Sequence, residues 1–294
     1  IYKNNSVKNI VERYKDIKEN FPKELQEKAL PFFIYWLRDN VIFVEIITNS
    51  DEDAYTIFET MNDRGLNLTP TEMLKGYILS NVNADDEKRT LNQIWKNEII
   101  ELNRISEEKN LEFFRAWLRA KFAETIRPGR KGAENEDFEK IGTRFHSWVK
   151  DNKVKLGLTT SEDFYDFINK RMKFYLKIYK TINQASQKWT KDLESVYYIN
   201  ERRLASSLLF PLLMAPITME DTTLIIEKKI ALVATYLEMF VVFRSLNNRN
   251  YSHSSIRYTM YSLVKEIRDK TIHELTVTLK EKAKNMEDTL DGVK

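Results

Sequence analysis

Residues 64–73 read Arg-Gly-Leu-Asn-Leu-Thr-Pro-Thr-Glu-Met and predict a tight turn between two helices. Gly65 suits the left-handed position that ends the first helix. Thr69 and Glu72 have the spacing of a capping box, and Pro70 suits the first turn of the second helix. The segment therefore predicts a helix, a turn and a second helix.

The residues before this turn predict first a strand and then a helix. Residues 41–48 read VIFVEIIT, rich in β-branched and aromatic side chains, and predict a β-strand. No second strand of similar quality follows. Its hydrogen-bonding partners therefore lie in a sheet outside this sequence, or the segment extends the preceding helix. A helix is predicted to begin near Ser50 and to bury Ala54, Ile57, Phe58 and Met61.

The rest of the chain shows the spacing of amphipathic helices. Seven glycines and six prolines in 294 residues are too few for a turn-rich sandwich or barrel. The predicted fold is therefore mainly α, a multi-helix array with one β-strand at about 41–48. We expect residues 83–294 to form an all-helical domain. The first residue is Ile1, not methionine, which suggests a piece of a longer protein.

Composition and absent motifs exclude many kinds of active site. The chain has no cysteine, which excludes disulfides, thiolate zinc sites and thiol nucleophiles. Phosphate-binding glycine loops, H-E-x-x-H and G-x-S-x-G are all absent. We therefore expect no catalytic residue, no metal site and no cofactor in this chain. The apolar runs are too short to span a bilayer and no signal peptide is present, so a cytoplasmic location is expected.

A basic helix is the strongest candidate for contact with DNA. Residues 167–191 contain seven Lys or Arg and no acidic residue. On an α-helix the four central lysines lie within about 80° of one another, opposite an apolar face. Such a face suits DNA phosphates, although acids on a neighbouring helix would equally neutralise it. The predicted contacts are Lys170, Lys173, Lys177 and Lys180.

A second basic cluster surrounds a loop that contains glycine and proline, at residues 127–133. Positive charges on both sides of a flexible loop could hold a nucleic-acid backbone. Trp117 and Phe122 share a helix face with Phe113 and Phe114, so we expect them in the core. The predicted DNA contacts in this cluster are Arg115, Arg119, Arg127, Arg130 and Lys131.

Residues 54–75 resemble a family signature, F-x-x-x-N-x-x-G-x-x-L-T-x-x-[DE]-[LM]-x-K. The signature is that of a large bacterial family built around the GmrSD-type modification-dependent restriction endonucleases. Residues 41–48, 144–152 and 236–244 are also similar to stretches of such proteins. The matching positions of the signature are Phe58, Asn62, Gly65, Leu68, Thr69, Glu72, Met73 and Lys75.

The resemblance implies an architecture and a function. The family has an N-terminal ParB/sulfiredoxin-like domain with a D-G-Q-Q-R motif for nucleoside-triphosphate hydrolysis, then a helical region and often an HNH nuclease. Members restrict modified phage DNA. This chain lacks D-G-Q-Q-R and any His-Asn-His cluster. It therefore resembles the middle of such a protein, with residues 1–82 as the C-terminal tail of the nucleotide-handling domain and the strand left over from that missing domain.

The implied partners are DNA and the missing N-terminal domain of the same chain, with no membrane. A nucleoside triphosphate with Mg is expected for the parent protein. Asn62, Arg64 and Lys75 are predicted to face the nucleotide-handling domain and to help order its nucleotide site. The alternative is that Asn62 caps its own helix and Lys75 is a surface charge. The alternative function is a non-catalytic helical protein–protein interaction module whose basic faces are only solvated.

Overall fold

A computed structural model describes residues 5–42, 45, 47, 57, 69–106, 108–127, 136–201 and 204–286. Of the described residues 76% are helical and none lies in a strand, which confirms the mainly α fold. The chain divides into two compact units, residues 1–48 and 49–294. The predicted division of the chain at residues 82 and 83 stays a prediction.

The first unit contains two helices, α1 (Asn5–Asn20) and α2 (Leu30–Asn40), joined by short 3₁₀ turns at Lys23–Leu25 and Glu27–Ala29. The ring of Phe33 packs edge-on against Phe21, with centroids 6.2 Å apart, and stacks with Trp36 at 6.4 Å. These aromatic contacts hold α2 beside the chain that leaves α1.

The strand predicted at 41–48 is not found in the residues described there. Val41, Ile42, Glu45 and Ile47 have no regular secondary structure, and the other four positions lie outside the described residues. Helix α2 ends at Asn40 and Val41 is extended, so the segment does not continue that helix. A strand needs a neighbour for its backbone hydrogen bonds, and the described part of the chain offers none. Of the helix predicted from Ser50, the structure describes only Ile57, which is helical.

From Pro70 onward, the described part of the second unit is a helical array. Within it, residues 161–187 form an α-helix, a π-helical segment and a second α-helix without a break. The helices of this unit are α3 (Pro70–Ser80), α4 (Asp85–Ile105), α5 (Lys109–Lys121), α6 (Asp137–Asp151), α7 (Ser161–Asp166), the π segment (Phe167–Met172), α8 (Lys173–Gln187), α9 (Glu194–Glu201), α10 (Ser206–Met214), α11 (Thr223–Leu246), α12 (His253–Ile267) and α13 (Ile272–Lys284). Among the described helices, none has the length and apolar character needed to cross a bilayer.

Helix α10 is the central helix of this unit. Every residue from Leu208 to Met214 is buried, so the helix is apolar on all sides. It packs against α5, α8, α11 and α12. Helices with one polar face thus surround one helix that has none.

Aromatic side chains of α5 fill the space next to α10. Phe113, Phe114 and Trp117 are fully buried, and the Trp117 ring lies 4.9 Å from the ring of Phe167. Phe122 packs against the same core and is partly buried. The prediction that Trp117 and Phe122 belong to the core is confirmed.

Two buried lysines bind the turn that follows α10. Lys121 of α5 donates to the carbonyl oxygens of Ala215, at 3.1 Å, and Ile217, at 2.8 Å. Lys229 of α11, whose side chain is only 2% exposed, donates to Pro216 O at 2.8 Å and pairs with Asp221 at 2.6 Å. Burial lowers the pKa of Lys121, and its ion pair with Asp269 opposes that shift. These contacts replace the water that the buried ammonium groups lose.

We predict that Lys229→Met destabilises the fold by about 2–4 kcal/mol, because Asp221 and the Pro216 carbonyl lose their buried partner. The matched control is Lys228→Met, since Lys228 is the neighbouring residue on α11 and is exposed. Urea unfolding followed by circular dichroism measures both variants. Equal unfolding midpoints for the two variants would contradict the structural role of Lys229.

Candidate nucleic-acid interface

The basic helix begins with a capping box. The Thr160 hydroxyl accepts a hydrogen bond from the Asp163 backbone N–H, and the Asp163 carboxylate accepts one from the Thr160 N–H at 2.7 Å. Hydrogen bonds from Thr159 and Thr160 hold the pKa of Asp163 well below its usual range. This cap fixes where α7 starts.

The helix turns its apolar side inward as predicted. Ile168 of the π segment, with Tyr175, Ile178 and Ile182 of α8, is buried. The Tyr175 hydroxyl also donates to the carbonyl of Ile217, at 3.2 Å. The opposite side of α8, which carries lysines, therefore points away from the core.

The π segment changes the alignment of the four lysines. Lys170 lies within Phe167–Met172, whereas the other three lysines lie on α8. A π-turn is wider than an α-turn, so a projection at α-helical spacing does not hold across it. Lys170 pairs with Asp166 at 2.6 Å and its side chain is 58% exposed.

Lys180 is neutralised by a neighbouring helix. Its ammonium lies 2.8 Å from a carboxylate oxygen of Glu98 and also pairs with Glu101, both on α4. A hydrogen bond and the charge of Lys180 lower the pKa of Glu101. For Lys180 the structure therefore matches the alternative in which acids of another helix balance the basic face.

Lys173 and Lys177 remain as the exposed pair of α8. They lie one helical turn apart, and both are exposed. Neither forms an ion pair with any residue that the structure describes. The predicted basic face thus divides into two lysines held by carboxylates and two whose charge faces solvent.

The position of Arg119 differs from the one predicted for the second basic cluster. It is 8% exposed, and its Nε donates to the carbonyl of Phe138 at 2.9 Å. Its guanidinium lies 5.4 Å from the ring centroid of Tyr261, and a Cβ on Gly142 would clash with one of its nitrogens. Desolvation lowers the pKa of Arg119. The prediction that Arg119 contacts DNA is wrong, because α5 directs this side chain into the core.

The other arginines of that cluster have different surroundings. Arg115 is partly buried, and its Nε has no hydrogen-bond partner among the described residues. Arg127 is partly buried as well. Arg130 and Lys131 lie outside the described residues. DNA contact by these four residues stays a prediction.

The motif before α3 has the predicted cap. The Thr69 side chain accepts from Glu72 N at 3.3 Å, and the Glu72 carboxylate accepts from Thr69 N at 2.9 Å. Asn62 and Arg64 lie outside the described residues. Lys75 is partly buried, and burial followed by the charge of Lys96 lowers its pKa, against the opposing charge of Glu72.

Comparison with protein families gives one match. Residues 1–79 match the family model described as GmrSD restriction endonuclease, N-terminal domain. This match supports the resemblance of this part of the chain to the GmrSD restriction endonucleases. Comparisons with curated proteins and with solved structures gave no match.

The GmrSD match includes the capped motif and ends inside α3. Helix α3 packs mainly against α6, and also against α4 and α5, all in the second compact unit. The last helix of the GmrSD-type segment is therefore part of the helical array. This packing gives the motif a rigid support on its C-terminal side.

Sequence reasoning missed a cluster of basic side chains around Glu139 of α6. Arg115 and Arg119 of α5 and His253 and Arg257 of α12 lie close enough to influence one another electrostatically. The carboxylate of Glu139 lies 4.0 Å from Arg257 Nη1 and is largely buried. One sequence signal could have indicated this cluster. The residues of each pair, Arg115 with Arg119 and His253 with Arg257, are four positions apart and therefore share a helix face.

We predict that this cluster makes stability sensitive to mild acid. His253 is exposed, but partial desolvation, followed by the charges of Arg257 and Arg119, lowers its pKa below the ordinary value of 6.5. Protonation therefore favours the unfolded chain, and stability is lost as the pH falls below about 6.5. His253→Gln should lose less thermal stability than the unmodified chain between about pH 7.5 and about pH 5.5.

Differential scanning fluorimetry at the two pH values measures this difference. His273→Gln is the control, because His273 is also exposed but lies on α13, outside the cluster around Glu139. It should keep the pH dependence of the unmodified chain. An identical loss of melting temperature in the chain and in His253→Gln would refute the role of His253.

Proposed function

We propose that this chain is the helical portion of a GmrSD-type, nucleoside-triphosphate-dependent restriction and phage-defence protein that acts on modified DNA in the cytoplasm. Helix α8 contacts the DNA backbone in this proposal. The observation that carries it is the exposed pair Lys173 and Lys177, which forms no ion pair with a described residue. The GmrSD match at residues 1–79 supplies the class of substrate.

Two lysines one turn apart suit phosphates, not bases. A lysine ammonium is a compact charge that binds phosphate without reading sequence, and its contact releases counterions from the duplex. Lys173 and Lys177 lie on one helix face, so they can reach neighbouring phosphates of the same strand. The proposed contacts with DNA phosphates are therefore independent of base sequence and of DNA modification. We propose that another part of the parent protein recognises the modified base.

The chemistry is proposed to lie outside this chain. Among the described residues, no group of three or more His, Asp or Glu could hold a metal ion. Lys75 and the nearby Lys96 provide positive charge that suits a phosphate group. Neither lysine suits the Mg ion that accompanies a nucleoside triphosphate. We propose that Asn62, Arg64 and Lys75 order a nucleoside triphosphate bound with Mg by the N-terminal domain of the parent protein.

The DNA proposal predicts a specific loss of salt-dependent binding. Lys173→Gln/Lys177→Gln should weaken binding to modified and unmodified duplexes alike. The plot of log affinity against log salt should become shallower by about 0.9 for each phosphate that the variant no longer neutralises. Fluorescence anisotropy with a labelled duplex over a series of salt concentrations measures both quantities.

The matched control is Lys170→Gln/Lys180→Gln, which removes the same charge from lysines already held by carboxylates. Its effect on the slope should be smaller, and circular dichroism establishes that both variants stay folded. The proposal fails if the two double variants have equal slopes, or if the unmodified chain binds no DNA.

The proposal also predicts that this chain alone hydrolyses no nucleotide. The purified chain, incubated with GTP or ATP and Mg, should release no more phosphate than a heat-denatured sample. Release clearly above that background would place catalytic residues within residues 1–294.

A second candidate function is a helical protein–protein interaction module. The observation that favours it is the exposed apolar surface of the first unit, which includes Ile10 of α1 and Phe32 of α2. Such side chains mark surfaces that bind other proteins when they are contiguous. Absence of salt-dependent DNA binding would favour this function over the first.

A further inference from the structure

Helices α11 and α13 form an apolar groove with a volume of about 710 Å³. Its floor is made by Ala231, Leu232 and Tyr236 of α11 and by Leu279 and Ala283 of α13. Helix α13 packs against α11, and α11 also packs against α9 and α10 of the array. The groove therefore lies on a surface that is formed by two packed helices.

All charges that line the groove are positive. They are Lys228 of α11 and Lys280 and Lys284 of α13, and no aspartate or glutamate of the described residues lines it. These three lysines form no ion pair with another described residue, although Lys282 of the same helix pairs with Glu266. The groove thus combines an apolar floor with an unbalanced positive rim.

The groove has the length of a short helix. Its lining residues on α11 run from Lys228 to Met239 at spacings of three and four, along one face. Eleven residues of rise correspond to about 16 Å, or roughly three helical turns. An amphipathic helix that lies in such a groove buries apolar residues at i, i+3 or i+4, and i+7.

We propose that this groove binds an amphipathic helix of a partner protein, in which acidic residues flank the apolar face. The apolar face fills the floor over Leu232 and Leu279. The acidic residues pair with the lysines of the rim, which set the orientation and raise the association rate. This inference concerns a surface other than α8 and does not depend on the DNA proposal.

Charge and shape favour a protein helix over other anions. A DNA backbone is attracted to lysines and gains nothing from an apolar floor between them. A membrane surface favours a protruding apolar face, whereas this one is recessed between two helices. An acidic amphipathic helix satisfies both the apolar floor and the positive rim.

The test uses the full chain and a labelled peptide of about four helical turns with leucine at i, i+3, i+4 and i+7. Glutamate occupies the flanking positions in the probe peptide, lysine occupies them in a second peptide, and a third has the first composition scrambled. Fluorescence anisotropy should show binding of the glutamate peptide alone. Equal binding of the lysine peptide, or no binding of any peptide at millimolar concentration, would overturn the proposal.

Two matched substitutions on α11 locate the site. Met239 lines the groove and is 37% exposed, and Leu224 lies outside it and is 59% exposed. Met239→Glu should weaken binding of the glutamate peptide at least about tenfold, because it places a negative charge in the apolar groove. Leu224→Glu should leave it unchanged. Equal effects of the two substitutions would overturn the proposed site.

The lysines are tested by Lys280→Gln/Lys284→Gln. Both side chains are exposed, so this variant should fold normally, weaken binding of the glutamate peptide and reduce its salt dependence. Sedimentation of the unmodified chain and of Met239→Glu tests a second copy as occupant, and phosphatidylserine vesicles test a lipid surface. A dimer or vesicle binding that Met239→Glu abolishes would assign the groove to that occupant and refute the partner helix.

Discussion

Buried ammonium groups need acceptors, and the turn after α10 supplies them. A charge withdrawn from water is tolerated only when oxygen atoms replace its hydration. Lys121 and Lys229 obtain those oxygens from the backbone of residues 215–217 and from Asp269 and Asp221. Because α5 and α11 each provide a lysine, one turn fixes two helices relative to the central helix.

The same turn orients the candidate DNA-binding helix. The Tyr175 hydroxyl donates to the carbonyl of Ile217, which directs this face of α8 inward. Lys173 and Lys177 are consequently exposed. The electrostatics of α8 therefore depend on a polar contact on its opposite side, in addition to the apolar packing of Ile178 and Ile182.

Sequence reasoning succeeds here where the signal is local. The capping box at Thr69 confirms the helix start predicted from a few neighbouring residues. The pairing of Lys180 with Glu98 joins residues 82 positions apart, and no local pattern indicates which lysine of the face will be neutralised. The burial of Arg119 is likewise decided by Phe138 and Tyr261 on other helices. The π segment arises within a sequence whose apolar spacing looks α-helical.

The turn after α10 also bears on the order of folding. Lys121 forms hydrogen bonds with Ala215, 94 positions later in the sequence, and with Asp269, 148 positions later. These bonds therefore close long loops. Loop closure costs entropy before it yields any favourable interaction, and non-local pairings of this kind form slowly. Until α5, α10 and α11 have assembled, the two ammonium groups keep their water and stabilise nothing. Dehydration of these lysines is therefore a late and cooperative step, which ties the folding of separate helices into one transition.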